Sequence, residues 1–364
     1  MILLHLDEQR GWRGGEQQAS YLAQGLVERG HTVLIAGRKD GEFLRRHHDI
    51  SGIIRAPLPF HGEWDIYTAS RLAGIVRQYR VDLIHAHTSH THGLACIARR
   101  LARRGRAVVT RRVDFMPNRN PWTRWKYQDA DRVIAISGRI RAVLAEYGVP
   151  ETKLELIYSA QDLDRLMVPP ASRTELGVPE EARLVICPAA LVGHKDHATL
   201  IAAMAHVCAQ RPDVHLLLAG EGELRGAIEA QVRVLGLANH VHLLGYREDV
   251  PSLLRCADVF ALSSRMEGLG SAIIEAMFCE TPIVACAAGG IPELVRHENT
   301  GLLVNAGDSR GFAEAVIRLL DSPELRTRLT TNAKGFAEEK CSAERMVEEY
   351  IRVYEDLLGK HAGA

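Results

Sequence analysis

Apolar and polar positions alternate along the chain in two rhythms. Short apolar runs read as buried strands: ILLHL (2–6), HTVLIAG (31–37), DLIHAHTS (82–89), AVVTRR (107–112) and DRVIAIS (131–137). Longer amphipathic stretches separate them. In GEQQASYLAQGLVERG (15–30), Leu22, Leu26 and Val27 share one helical face, and Gly30 supplies the stop. Strand, helix, strand at this spacing predicts a parallel sheet with crossover helices. The rhythm pauses over 166–184, where Pro169, Pro170 and Pro179 interrupt any periodicity, which predicts a linker. It resumes at LVICPA (184–189), HLLLAG (215–220), HVHLLG (240–245), DVFALSS (258–264), PIVACAA (282–288) and GLLVNAG (301–307). A long amphipathic helix, SAERMVEEYIRVYEDLLGK (342–360), closes the pattern. ADRVIAIS (130–137) and ADVFALSS (257–264) echo one another, which suggests two similar Rossmann-like halves. Ligands of such sheets bind beyond the carboxyl ends of the strands, so the expected site is the cleft between two facing domains.

Composition adds limits. A chain of 364 residues exceeds what one core usually supports, so two domains are expected. With 46% apolar and 25% charged residues, it reads as a soluble globular protein. A formal net charge of zero gives no pointer to nucleic acid or to an anionic membrane. The 7 cysteines are dispersed and odd in number, which fits a reducing cytoplasm better than a disulfide framework. MILLHLDEQR is too short for a signal-peptide core, and no apolar run is long enough to span a bilayer.

The densest chemistry lies in EGLGSAIIEAMFCETPIVACAAGGIPELV (267–295). DVFALSS ends at Arg265 and Glu267. Gly268 and Gly270 then leave room for close backbone approach, and SAIIEAMF begins a helix with Ser271 as the expected N-cap. A helix start offers unpaired N–H groups and a partial positive charge to a phosphate. Glu267 in the loop and Glu275 in the helix then flank that position with hydroxyl-accepting carboxylates. A nucleotide sugar carries hydroxyls on both sides of its diphosphate. Acidic residues near a helix start are also a common surface feature, so the segment alone leaves both readings open.

The surrounding motifs sharpen it. Glu267, Glu275, PIVACAAGG and Glu293 resemble the signature of the family 4 retaining glycosyltransferases, whose fold is called GT-B. WRGGEQQ (12–18), DLIHAHTS, GVPETKLELIYSAQDLDRL (148–166) and the run 221–259 extend the likeness over nearly the whole chain. The resemblance implies two Rossmann-like doubly wound domains facing a central cleft. Residues 1–168 would form the acceptor side and 169–340 the donor side, with the helix 341–364 packing back on the first. It assigns Glu267 to the donor sugar, Glu275 to the ribose, and Gly268, Leu269, Gly270 and Ser271 to the diphosphate. Lys195, in VGHKDH, would meet the leaving diphosphate, and Tyr246 and Arg247 the base. Gly14 and Gly15 would approach donor phosphate and acceptor from across the cleft. No cofactor or metal is expected. The donor would be a UDP-sugar, with GDP- and ADP-sugars open. The acceptor would be a surface glycan or a lipid-linked sugar, for example in lipopolysaccharide synthesis, with peripheral membrane contact at the inner face open and nucleic acid not expected.

Three departures stand out. Ala190 occupies the place of the family's usual arginine. VVTRRVDF (108–115) offers Arg111, Arg112 and Asp114 where a histidine is frequent, so Arg111 or Arg112 is a candidate to replace the missing cation. YSAQD (158–162) replaces an asparagine-glycine turn. In HAHTSHTH (85–92), His85 and His87 alternate and are expected on opposite sheet faces, which argues against a metal. His87 and His90 are acceptor-side candidates. DAD (129–131) reads as a turn, and GEGELRG (220–226) as an ordinary βα loop. The arginines of ARRLARRGRAVVTRR (98–112) form either a solvated face or a basic surface for an anionic partner. Two further functions fit the same fold: nucleotide-sugar 2-epimerisation, or nucleotide binding without catalysis.

Overall fold

In a computed structural model the described residues are 1–359, and they divide into two compact units. The first comprises Met1–Ala160 and the C-terminal helix from Ala343; the second is Gln161–Ser342. The first holds seven parallel strands: β1 (Ile2–Asp7), β2 (Thr32–Arg38), β3 (Ile53–Leu58), β4 (Leu83–Ala86), β5 (Arg106–Arg111), β6 (Arg132–Ala135) and β7 (Leu154–Leu156). Their order is β3-β2-β1-β4-β5-β6-β7, so the strand order reverses between β1 and β4. The second holds β8 (Arg183–Pro188), β9 (Val214–Ala219), β10 (Val241–Gly245), β11 (Val259–Leu262), β12 (Ile283–Cys286) and β13 (Leu302–Val304), ordered β10-β9-β8-β11-β12-β13. Its reversal lies between β8 and β11. Central strands bury every or nearly every residue, as parallel sheets covered on both faces require.

Two strands escape the sequence pattern, and both lie at sheet edges. β3 carries Arg55 and Pro57, tolerable where one side needs no ladder bonds. β7 has only three residues. The boundary at 160/161 falls before the proline-rich stretch. That stretch is part of the second unit: Ala171 N–H donates to Ser252 O at 2.9 Å, and Arg173 donates to Ala182 O, Cys256 O and Asp258. The unit closes on itself where Gln161 N–H donates to Cys341 O at 2.9 Å.

The helix Ala343–Leu358 packs on the helix Gly14–Glu28 in the first unit. Met346, Val347, Tyr350 and Tyr354 join Leu22, Ala23 and Leu26 in one core. A Cβ on Gly25 would reach the Val347 methyls, so glycine permits that approach. The arginines from Arg99 to Arg106, at the end of the helix Ser89–Ala102 and in the turn into β5, are mostly paired. Arg99 meets Asp129 and Asp131, Arg100 meets Asp129, Arg104 meets Asp82 and Arg106 meets Asp131. The DAD turn is therefore an anchor for this basic cluster.

Candidate functional site

At the carboxyl edge of the second sheet, the chain leaves β8 through a single helical turn, Gly193–Lys195, before the helix His197–Gln210. Asp196 takes a left-handed conformation at the junction (φ 48°), and its carboxylate caps Thr199. Ser263, just past β11, donates to Lys195 O at 3.0 Å and Asp196 O at 2.9 Å. Arg265 binds the Asp196 carboxylate at 2.6 Å, and its N–H donates to His194 O. These bonds join the loops after β8 and β11, the two strands at the reversal point. Lys195 and Glu267 meet there, with Nζ 2.9 and 2.7 Å from the two carboxylate oxygens and both side chains largely covered.

The helix Ser271–Phe278 starts differently from the sequence expectation. Its N-cap is Gly270, at φ 96°, and Ser271 is the first helical residue with no side-chain cap. The amides at the start are thus left without a capping oxygen of their own, the condition in which a helix start suits an anion. A glycine is needed at 270 both for its positive φ and because a Cβ would come 2.9 Å from Ile273 Cδ1. Gly290 explains the second glycine turn. Its N–H donates to Glu267 O at 2.8 Å, and a Cβ there would overlap the Gly268 carbonyl. Gly220 and Gly222 likewise lie against Ala189 O and Leu191 O, so these two glycines of GEGELRG serve close loop packing, whereas Gly226 faces open space.

Glu275 lies in the second helical turn and is buried. Arg165 donates to it at 2.7 Å, and burial raises its carboxyl above the usual range despite that partner. Sequence reasoning missed Arg165, which had no signal beyond its place in the run 148–166. Tyr246 is exposed after β10, and Arg247 is engaged by Asp249 through two bonds of 2.7 and 2.6 Å. Ala190 is exposed and brings no charge.

In the first unit the carboxyl edge collects a second polar group. Gly14 and Gly15 open the helix Gly14–Glu28, and a Cβ on Gly15 would sit 3.3 Å from Arg112 Cδ. Arg112 donates to His87 Nδ1 over 3.4 Å, and its Nε has no protein partner. Arg111 is spent differently. It is buried and donates to the Tyr127 hydroxyl at 2.9 Å and to Phe115 O. Asp114 is half-buried in the following loop. His90 lies 3.3 Å from Glu8, which also accepts from Thr88 and Gln9.

The histidines overturn the expectation of opposite faces, because positions two apart along a strand share a face. β4 ends at Ala86, and the His87 ring just beyond it stacks with His5 and lies 4.1 Å from the His85 ring. His5, His85 and His87 are all buried, and their ring nitrogens come within 4.8 Å of one another. Those nitrogens are largely committed: His5 Nδ1 to His87 Nε2 at 2.9 Å, and His85 to Thr110 and Tyr354 at 2.8 and 2.6 Å. Arg112 can only donate, so His87 Nδ1 accepts, His87 Nε2–H donates to His5, and the His5 proton sits on the unpartnered Nε2. Burial lowers all three, His5 to about 3, which keeps them neutral. Sequence reading also passed over Asp7. Burial and the nearby Glu16 push its carboxyl up to about 8.

Residues 170–336 match the family described as glycosyl transferases group 1, and residues 12–165 match glycosyltransferase family 4. The chain is 31% identical over 301 residues to the putative glycosyltransferase EpsD of Bacillus subtilis, covering 78% of this chain and 79% of that protein. It is 32% identical over 181 residues to the lipopolysaccharide core biosynthesis glycosyltransferase LpsE of Rhizobium meliloti, about half of each chain (50% and 52%). Among solved structures, Anabaena HepE in complex with UDP-glucose superposes with a TM-score of 0.84 at 25% identity, covering 98% of this chain and 100% of that one.

Proposed function

The chain belongs to the glycosyltransferases of the GT-B type, and from that premise we propose that it moves a sugar from a nucleotide diphosphate sugar to a hydroxyl acceptor with retention at the anomeric carbon. One observation carries the proposal. Lys195 and Glu267 pair beside a glycine-capped helix start, and the buried Glu275 follows in that same helix.

In this reading the diphosphate occupies the helix start, where it meets the amides of Gly268, Leu269, Gly270 and Ser271. Lys195 releases Glu267 to the donor sugar hydroxyls and turns its ammonium to the leaving phosphate. Glu275 accepts from the ribose hydroxyls, with Arg165 keeping a negative charge affordable in a buried place. Tyr246 and Arg247 flank the base. As the anomeric C–O bond breaks, charge builds on the diphosphate, and fixed cations and amides stabilise it without reorganisation. The acceptor oxygen bonds to the anomeric carbon on the face the diphosphate leaves, and its proton passes to a departing phosphate oxygen. Within the first unit, Arg112 supplies positive charge beside His87, and Gly14, Gly15, His87, His90 and Asp114 serve the acceptor. No metal or other cofactor is assigned a step.

The donor is a UDP-sugar in this proposal, supported by the UDP-glucose complex of the Anabaena protein. The acceptor is a glycan or lipid-linked sugar of bacterial surface-glycan synthesis, such as lipopolysaccharide, at the cytoplasmic membrane's inner face. Support comes from the relative named for lipopolysaccharide core biosynthesis. Calorimetric melting with UDP, GDP or ADP tests the donor: UDP should raise the second unit's midpoint by mass action. A rise with GDP or ADP alone would reassign the base, and no rise with any of the three would remove the donor-site reading. NMR of the product's anomeric proton tests retention.

A further inference from the structure

Exposed large apolar side chains are distributed unevenly. In the second unit, Leu163, Met167, Val234, Leu235, Tyr246 and Met266 are spread over four separate segments. In the first, Trp64, Ile66 and Tyr67 are exposed within four residues, at 67%, 70% and 61%. Val113 and Phe115 are exposed in the loop after β5. The two loops involved, after β3 and after β5, both leave the carboxyl edge that carries Arg112 and Gly15. They are joined physically, because Trp64 stacks on Trp122 with ring centroids 4.1 Å apart and Trp122 stacks on Trp125 at 4.7 Å.

This ladder is held rigidly. A Cβ on Gly93 would come 2.8 Å from the Trp122 ring, so glycine lets the indole lie on the helix Ser89–Ala102. The buried Lys126 binds Glu63, next to Trp64, and also donates to Ser89 O at 3.1 Å. Asp65 caps the next helix, accepting from Thr68 N–H at 2.9 Å and His61 N–H at 2.8 Å. The aromatic groups are thus presented to solvent on a fixed backbone.

Unpaired arginines outnumber unpaired carboxylates around them: Glu63 is neutralised by Lys126, and Asp65 and Asp114 are the acidic groups that remain. Arg119 and Arg124, which flank Trp122, and Arg71, one helical turn beyond Tyr67, are exposed and enter no ion pair among the described residues. This contrasts with Arg99, Arg100 and Arg104 at and just past the end of the helix Ser89–Ala102, which are neutralised by aspartates. Amphipathic aromatic rings with unpaired arginines around them match the boundary between anionic headgroups and acyl chains. A glycan alone would reward the indole face but not Ile66, Val113 or Phe115.

We infer that the surface formed by Trp64, Ile66, Tyr67, Val113 and Phe115 with Arg71, Arg119 and Arg124 docks the first unit on an anionic lipid bilayer. The inference rests on the acceptor-side reading of that unit. It also specifies the partner, and it moves membrane contact from the paired arginine helix to this aromatic edge. Among the described residues no helix is long and apolar enough to cross a membrane, so the contact is peripheral.

The test uses the full chain and vesicles of phosphatidylcholine alone or mixed equally with phosphatidylglycerol. The wild type should sediment with the mixed vesicles, with a blue shift of tryptophan emission. The triple substitution Trp64→Ser, Ile66→Ser, Tyr67→Ser should lower partitioning about 100-fold, from the apolar area withdrawn from water. Arg119→Glu with Arg124→Glu should remove the preference for the anionic mixture even if the triple variant folds poorly. UDP-dependent melting, followed in parallel, separates failure of this inference from failure of the donor-site reading. A wild type that stays in the supernatant would overturn the inference, as would a folded triple variant that binds like the wild type. An emission shift with soluble oligosaccharide but not with vesicles would overturn it in favour of a glycan.

Discussion

Arg111 and Arg112 are adjacent in sequence, yet Arg111 is buried on Tyr127 and Phe115 whereas Arg112 is half-exposed, and replacing each by alanine tests the different roles proposed for them. Arg111→Ala removes two charged hydrogen bonds in a buried setting, to the Tyr127 hydroxyl and to Phe115 O. Its Nε already lacks a partner, so no third bond is lost. Two such bonds amount to about 3 kcal/mol, which for a unit of this size lowers the midpoint by roughly 6–12 °C. Arg112→Ala removes one 3.4 Å contact to His87 from a half-exposed side chain and should cost under about 1 kcal/mol. Its effect should appear in turnover, because a fixed cation that stabilises developing negative charge is worth roughly 100-fold in kcat. All 4 tryptophans (Trp12, Trp64, Trp122 and Trp125) lie in the first unit, so tryptophan fluorescence on heating reports the unit that carries both arginines. Initial rates with a nucleotide sugar give kcat. An Arg112→Ala enzyme with unchanged kcat, or an Arg111→Ala protein that melts like the wild type, would refute this assignment.

Other perturbations reach the remaining parts of the site. Gly290→Ala should displace the Gly268 carbonyl and weaken UDP binding at least about 10-fold while the first unit melts normally; isothermal titration checks it. Arg165→Leu should leave Glu275 buried without its partner and lower the second unit's stability by about 3 kcal/mol, read by calorimetry. Asp7 holds its proton in the folded state up to about pH 8 but loses it near pH 4 when unfolded, so it makes stability fall as pH rises between these values. Asp7→Asn should flatten that fall in melting curves recorded from pH 4.5 to 8.5. His5, His85, His87 and His92 have lowered values and act in the opposite sense: below about pH 6.5 the unfolded chain takes up protons they refuse, so stability drops steeply on acidification.

The parallel α/β organisation was legible because buried central strands are continuous apolar runs. β3 and β7 were not, because edge strands carry fewer apolar residues and tolerate proline and charge. The proline-rich stretch looked like a linker because its order comes from side-chain bonds of Arg173 to distant carbonyls, which local periodicity does not record. Glu267, Glu275 and the glycine loop were readable as one motif, and the structure adds the Lys195 and Arg165 partners. The expectation of opposite faces for His85 and His87 failed because alternation separates neighbouring positions, whereas positions two apart share a face, as these rings do. Asp7 and Arg165 gave no local signal, because their environments are made by residues far along the chain.

The central claim is that the second unit binds a nucleotide sugar with Lys195 on the phosphate, Glu267 on the sugar and Glu275 on the ribose. Titration calorimetry of UDP and of UDP-glucose against the wild type, Lys195→Ala, Glu267→Gln and Glu275→Gln tests it most directly. Lys195→Ala and Glu275→Gln should each weaken both ligands about 10-fold or more, whereas Glu267→Gln should spare UDP and abolish the extra affinity contributed by the glucose. Equal binding of both ligands by all four proteins would contradict the account.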